Sequence, residues 1–229
     1  MMAHTGIRMS PDMIPFVSEQ TNTDDMNDRG KEFLECMKKR RSIRHFSDEP
    51  VSQHLLELAI ETAGTAPSGA NLQPWTFVLI SNSELKLAIR NAAEEEERKT
   101  YAERMPEAWA EVLEPLGTDE IKEHITDAPW LIVMFRHSQR RRSNGEMGPT
   151  YYSHESCGIA AGLLIASLQN MGLATLTHTP SPMGFLRDLL ERPTHEHAML
   201  LMPVGYPAEH AMVPNISKKS LSDILVIRS

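Results

Sequence analysis

The chain has 229 residues, enough for one sizeable hydrophobic core and marginal for two. With 41% hydrophobic and 24% charged residues it has the make-up of an ordinary globular domain, and a net charge of −8 argues against a phosphate-backbone partner such as nucleic acid. Two cysteines without CxxC spacing argue against a disulfide framework or a cysteine zinc site, and no apolar run reaches the roughly 20 residues that cross a bilayer, so a soluble, cytoplasmic protein is expected.

Residues 1–28 mix Pro, Asp, Asn and Thr without an apolar leader core and read as an extended or partly ordered arm, leaving 29–229 as the domain. Phe33, Leu34 and Met37 mark a helix over 31–41 that ends in a basic cluster. Leu55, Leu56, Leu58, Ala59 and Ile60 mark a second helix, and Pro67-Ser68-Gly69 ends it. WTFVLIS, 75–81, is a strand of the buried kind. Residues 83–105 form a long polar helix with an acidic run from Glu94 to Glu97, and WLIVMFR, 130–136, is a second buried strand. Arg140-Arg141-Arg142 beside Ser143-Asn144-Gly145 reads as a solvated turn. The helix over 156–171 is rich in small residues (Gly158, Ala160, Ala161, Gly162) and suits a buried position or a subunit interface. A short strand at 173–177, a short helix at 185–190, a strong strand at 198–204 and a last candidate strand at 223–227 complete the chain. Cys36 and Cys157 fall in helix-like stretches and read as small core residues. His195-Glu196-His197 has no ligand pair at helical spacing and no HExxH occurs, so no metal is expected. This irregular order of strands and helices implies an α+β fold, a central sheet covered by helices.

Two segments are chemically dense. Arg40-Arg41-Ser42-Ile43-Arg44 places three guanidiniums and a hydroxyl within five residues, and alternate positions of an extended segment share a face, so Arg40, Ser42 and Arg44 can converge on one anion. Taken alone it reads rather as a solvated basic helix end, which also suits the helix dipole. Residues 66–75, APSGANLQPW, form a rigid turn directly before a buried strand. RRSIRHF followed by TAPSGANLQPWTFVLI resembles the paired signature of the FMN-dependent nitroreductase superfamily, over a stretch from about Lys31 to the C-terminus. The resemblance implies an antiparallel-rich sheet covered by helices in an interlocked homodimer, with two FMN molecules at the subunit interface. It implies that Arg40 and Ser42, with Arg41 in the same cluster, meet the FMN phosphate together with Lys218 or Lys219. It places Arg44 at the flavin pyrimidine edge, where a fixed cation stabilises the reduced ring. Pro67, Ser68, Gly69 and Asn71 join the cofactor site through the turn.

Glu97 and Tyr101 stand four apart on one helix face, and Lys122 follows. The segments EEEERKTYAERM and TDEIKEHITDAPWLIV resemble the active-site lid of iodotyrosine deiodinases. By that resemblance Glu97 accepts the substrate's ammonium, Lys122 pairs with its carboxylate and Tyr101 adds a hydrogen bond. In LATLTHTP, Thr177, His178 and Thr179 match the flavin-side strand, and the Thr179 hydroxyl matches the group near flavin N5 that favours stepwise electron transfer. His178 stands where animal enzymes are expected to carry threonine. The Ala70 backbone N–H matches the donor to the substrate phenolate. The expected activity is reductive dehalogenation of mono- and diiodotyrosine by reduced FMN, with electrons from NAD(P)H or a separate reductase. A broad-range NAD(P)H nitro- or quinone reductase on the same fold, and a non-catalytic flavin-binding protein, are the alternatives.

Overall fold

The computed structural model describes residues 13–18 and 21–228. The chain divides into two units between Glu35 and Cys36. In the first, residues 13–18 have no regular structure, and helix α1 (Thr23–Lys38) begins well before the apolar pattern does. Its start is set by polar chemistry: the Asn22 carboxamide accepts from the Asp25 N–H at 2.9 Å, and Asp24 and Asp25 sit at the positive end of the helix dipole. The helix therefore takes in residues 23–28 of the expected arm; the rest of that arm before residue 13, and residues 19–20, lie outside the described residues.

The second unit is built on one sheet. α2 (Gln53–Gly64) leads through the turn at 66–74 into β1 (Trp75–Ile80), and α3 (Ser83–Lys99) follows. The long polar helix expected to run to residue 105 changes character at Lys99: residues Thr100–Arg104 form a wider π-type turn, and Met105 is extended because the ring of Pro106 disfavours helix at the residue before it. α4 (Glu107–Leu113) and α5 (His124–Asp127) lead to β2 (Trp130–His137). Where a solvated turn was expected, β3 (Gln139–Arg141) and β4 (Met147–Pro149) pair as a small hairpin around Gly145, whose φ is 84°. α6 (Ser153–Asn170), β5 (Ala174–Thr175), α7 (Gly184–Leu189) and β6 (Glu196–Gly205) complete the unit before α8 (Leu221–Ile224).

The four main strands run in the order β1-β2-β6-β5, every neighbour antiparallel. Both faces of β2 are buried, which is why its sequence is apolar without alternation. Ile132 and Met134 point towards α2 and α6, packing with Leu56, Ala59, Leu164 and Ala160, while Leu131, Val133 and Phe135 point towards Ile89 of α3, Ile125 of α5 and Leu186 of α7. The result is a sheet between two helical layers, as the element order implied. α6 buries Cys157, Ala160, Ala161, Leu164 and Leu168 but leaves Gly158, Ile159 and Gly162 exposed, and a Cβ at either glycine meets nothing within 4 Å. The helix is thus half buried within this chain, and its small residues on the outer face are not needed for packing inside it. Cys157 hydrogen-bonds to the Pro74 carbonyl at 3.3 Å and burial pushes its thiol up to about 11, so it is an inert core group; Cys36 is half-buried.

The candidate strand at 223–227 is not formed. Ser220 and Asp223 make a reciprocal capping box that starts α8 instead, and Leu225, Val226 and Ile227 follow exposed and without a strand neighbour among the described residues.

Candidate active site

Because α1 stops at Lys38, the basic segment is extended rather than helical. Ser42 makes a parallel bridge to Thr175 of β5, and the Ile43 N–H donates to the Thr175 carbonyl at 3.2 Å. This registers the guanidiniums along the sheet edge. Arg40, Arg41, Ser42 and Arg44 line one pocket with Leu116, Pro214, Ile216 and Lys218. Arg41 also donates to the Pro214 carbonyl, which draws the segment before α8 against the cluster. Lys219 does not line the pocket. Among the described residues no carboxylate lines it either, so the pocket offers guanidiniums, an ammonium and a hydroxyl to one anion.

Arg44 also opens onto a second cavity, of about 690 Å3 including its open mouth. One wall is the end of α3 and the π-type turn, carrying Glu97, Thr100 and Tyr101. The opposite wall is the chain after β5, Leu176 to Thr179, and Lys122 and His124 close a third side. Trp109 and Leu113 of α4 supply apolar cover. The walls are tied together: Thr100 Oγ1 reaches the Ser181 carbonyl at 3.3 Å, and the Glu94 carboxylate accepts the Lys122 N–H at 2.9 Å while pairing with Arg90 at 2.7 Å. Buried Lys86 donates to the Thr126 and Ala128 carbonyls at 3.1 and 2.7 Å, holding the end of α5.

Glu97, Tyr101 and Lys122 all line this cavity. The Lys122 ammonium lies 3.5 Å from Glu97 Oε2 and 5.8 Å from the Tyr101 ring centroid, and it donates to the Asp119 carbonyl. Tyr101 donates its hydroxyl to Thr118 Oγ1 at 3.1 Å. Burial works to raise the Glu97 carboxyl, but the hydrogen bond from His178 and the charge of Lys122 outweigh it and leave it below the usual carboxylate value. Burial first, then the neighbouring carboxylates, raises the Tyr101 phenol against a lowering hydrogen bond from Thr118, so it stays a neutral donor. Burial lowers Arg44, which remains a cation at any physiological pH.

Thr177, His178 and Thr179 all line this cavity. His178, assigned to the cofactor side by sequence, turns its ring to Glu97: its Nε2 is 3.2 Å from Glu97 Oε1 and its Nδ1 is 3.4 Å from His124 Nε2. His124 and Thr118 were missed by the sequence reading. The signal for His124 was its place two residues beyond Lys122, on the first turn of a short helix; Thr118 carried none.

The turn at 66–74 stands apart. Ala70, Asn71 and Gln73 have positive φ, and Ser68 Oγ accepts the Gln73 N–H at 3.0 Å. Gly69 cannot carry a side chain, since its Cβ would lie 2.7 Å from the Tyr151 carbonyl oxygen. The turn enters β1 at Trp75, on the sheet edge opposite β5. Through Thr175, Val204 and Trp130, Ser42 shares a row with the far end of β1, beyond Ile80. Four strand spacings and six residues of strand separate the two, roughly 20 Å or more. Pro67, Ser68, Gly69, Ala70 and Asn71 are therefore not brought to the arginine cluster within one chain.

Among the described residues no three His, Cys, Asp or Glu side chains are grouped to hold a metal, and no helix is long and apolar enough to cross a membrane. The Nitroreductase family model matches residues 37–206. An iodotyrosine deiodinase of Haliscomenobacter hydrossis is 43% identical over 96% of this chain and 100% of its own length. Iodotyrosine deiodinase 1 of Homo sapiens is 44% identical over 93% of this chain and 74% of its length. Among solved structures, oxidized iodotyrosine deiodinase bound to FMN and 3-iodo-L-tyrosine superposes with a TM-score of 0.73 at 26% identity, covering 86% of this chain and 97% of that one. A BluB-like flavoprotein from Clostridium difficile shares the fold with a TM-score of 0.64 at 20% identity. The chain belongs to the nitroreductase family and, within it, to the iodotyrosine deiodinases.

Proposed function

We propose that this protein is an FMN-dependent reductive dehalogenase of halotyrosines, converting mono- and diiodotyrosine to tyrosine and iodide. The observation that carries the reading is the convergence of Glu97, Tyr101 and Lys122 on one cavity wall-to-wall with Arg44, which also lines the cationic pocket. That pocket fits the phosphate of FMN: Arg40, Arg41, Ser42 and Lys218 offer forked and single donors, with no carboxylate among the described lining residues. Arg44 is then placed between the phosphate pocket and the substrate cavity, and Thr177 and Thr179 offer hydroxyls from the wall after β5. Of the two lysine candidates, Lys218 is the phosphate ligand. Lys218→Ala is expected to raise the FMN dissociation constant by roughly tenfold, the scale of one charge-assisted hydrogen bond, while Lys219→Ala leaves it unchanged. Titration of the apoprotein with FMN checks this.

Bound and reduced, FMN supplies the two electrons that, with one proton, replace the carbon–halogen bond by a carbon–hydrogen bond and release halide. The protein's part is recognition and exclusion. A zwitterion leaves water at a steep cost unless both charges are met, and Glu97 and Lys122 meet them. In the free lid they neutralise each other at 3.5 Å; the substrate separates them, its ammonium taking Glu97 and its carboxylate taking Lys122. Trp109 and Leu113 cover the cavity, so occupancy and exclusion of water are coupled.

The turn at 66–74 completes the site from a second copy of the chain, since its own arginine cluster is out of reach. The exposed outer face of α6 and the unpaired residues after α8 are the surfaces such a homodimer would use. The electron donor is NAD(P)H or a separate reductase, and the protein acts in the cytoplasm. Comparing affinities for 3-iodotyrosine and 2-iodophenol tests the clasp: iodotyrosine is expected to bind at least roughly a hundredfold tighter, two buried charge pairs outweighing none. Comparable affinities would favour a broad-range reductase on the same fold.

A further inference from the structure

We infer that His178, oriented by His124, is a positioning residue that fixes the Glu97 carboxylate to receive the substrate's ammonium group. The inference rests on the reading of Glu97 as the ammonium acceptor.

The direction of each hydrogen bond follows from chemistry. Glu97 as a carboxylate only accepts, so His178 Nε2 carries the proton of the 3.2 Å contact to Oε1. A neutral His178 then presents Nδ1 as a lone pair, and His124 Nε2 must donate across the 3.4 Å contact. Both rings are held neutral by what faces them. Burial first, then the charges of Lys122 and Arg44, lower His178 against the raising effect of Glu97; burial and the charges around it push His124 down to about 3. The rings meet edge to face, with centroids 5.1 Å apart.

The relay has a firm base. The His178 N–H and carbonyl are both bonded to Leu201 of β6 at 2.9 Å, so the ring is anchored on the sheet rather than on the lid. Glu97 sits in the last turn of α3, where the helix gives way to the π-type turn. His178 holds Oε1, whereas Lys122 is on Oε2. The oxygen that must exchange Lys122 for the ammonium is thus left free to do so, while the other is held throughout. Without the histidine donor the carboxylate can rotate, and the ordering it then needs is charged against substrate binding.

The test uses the holoenzyme, with dissociation constants for 3-iodotyrosine and 2-iodophenol measured side by side. His178→Phe keeps a ring and loses the donor. It is expected to weaken iodotyrosine binding roughly tenfold or more, as for a hydrogen bond to a charged group, and to leave iodophenol binding within about twofold. His178→Gln restores a donor at the position of Nε2 and is expected to recover iodotyrosine affinity to within about threefold of the wild type. Equal losses for both ligands in His178→Phe, no loss, or a His178→Gln variant that retains FMN yet binds iodotyrosine as poorly as His178→Phe, would each overturn the assignment. Should His178→Phe lose its FMN, His178→Asn takes its place: its shorter amide falls short of Glu97, and iodotyrosine affinity equal to that of His178→Gln would overturn the assignment equally. If the wild type itself fails to prefer iodotyrosine, the zwitterion clasp is at fault, and the role of His178 falls with it.

Discussion

Replacing Lys122 by Gln is expected to weaken iodotyrosine binding by about 2–4 kcal/mol, some 30- to 1,000-fold, with FMN still bound. Only 8% of the Lys122 side chain is exposed, and its ammonium is committed to Glu97 and to the Asp119 carbonyl. Its loss has two consequences. The substrate carboxylate loses the ammonium that would meet it, and Glu97 loses the charge that helps keep it ionised. Glu97→Gln removes the matching partner for the ammonium and is expected to cost a similar amount. The double substitution should cost less than the sum, because each single change leaves an uncompensated charge beside the other. Neither residue lines the cationic pocket, so retention of FMN separates loss of the clasp from loss of the fold. Titration of each variant with iodotyrosine, followed by flavin fluorescence, is the measurement; affinities within twofold of the wild type would remove the clasp from the account.

The second large effect is on stability in acid. His124 is buried against α3 and the chain after β5, with its pKa pushed down to about 3 from an ordinary value near 6.5, by burial first and then by the charges of His178, Lys122, Arg44 and Arg90. The folded state therefore binds fewer protons than the unfolded one throughout that interval. Its contribution is fully present above pH 6.5 and is lost progressively as the pH falls towards 3, at up to about 1.4 kcal/mol per pH unit. His178 is lowered in the same direction and adds to the slope. Glu94 and Glu97, both net lowered, extend the loss below the ordinary carboxylate range. Unfolding free energies from denaturant titrations are expected to decline steadily below pH 6.5, and His124→Gln should flatten that decline by close to one proton. A stability constant from pH 7 to 4.5 would contradict the described burial of His124.

Much of this was legible in the sequence, for identifiable reasons. WTFVLI, WLIVMFR and the run around Leu200 are apolar without alternation because both faces of their strands are covered, and such runs need no tertiary knowledge to be read. Glu97 and Tyr101 were legible by spacing, and the last turn of α3 with the π-type turn after it brings both to the cavity. The start of α1 was hidden because polar capping, not apolar periodicity, sets it. The terminal strand was misread because Leu225, Val226 and Ile227 have strand character but no strand partner among the described residues, while Ser220 and Asp223 favour a helical turn. The pairing of His178 with His124 and Glu97 joins three elements far apart in sequence, and no local pattern encodes it. Likewise the arginine cluster and the 66–74 turn read as one motif pair, yet strand order sends them to opposite sheet edges.

The central claim is tested most directly by a single anaerobic turnover. The purified holoenzyme is reduced, freed of excess reductant and mixed with 3-iodotyrosine, while flavin absorbance, tyrosine and iodide are followed together. The expected result is reoxidation of the flavin with tyrosine and iodide formed in equal amounts, each matching the reduced flavin consumed. A reduced flavin that stays reduced while iodotyrosine is bound, or that reoxidises without releasing iodide, would contradict it.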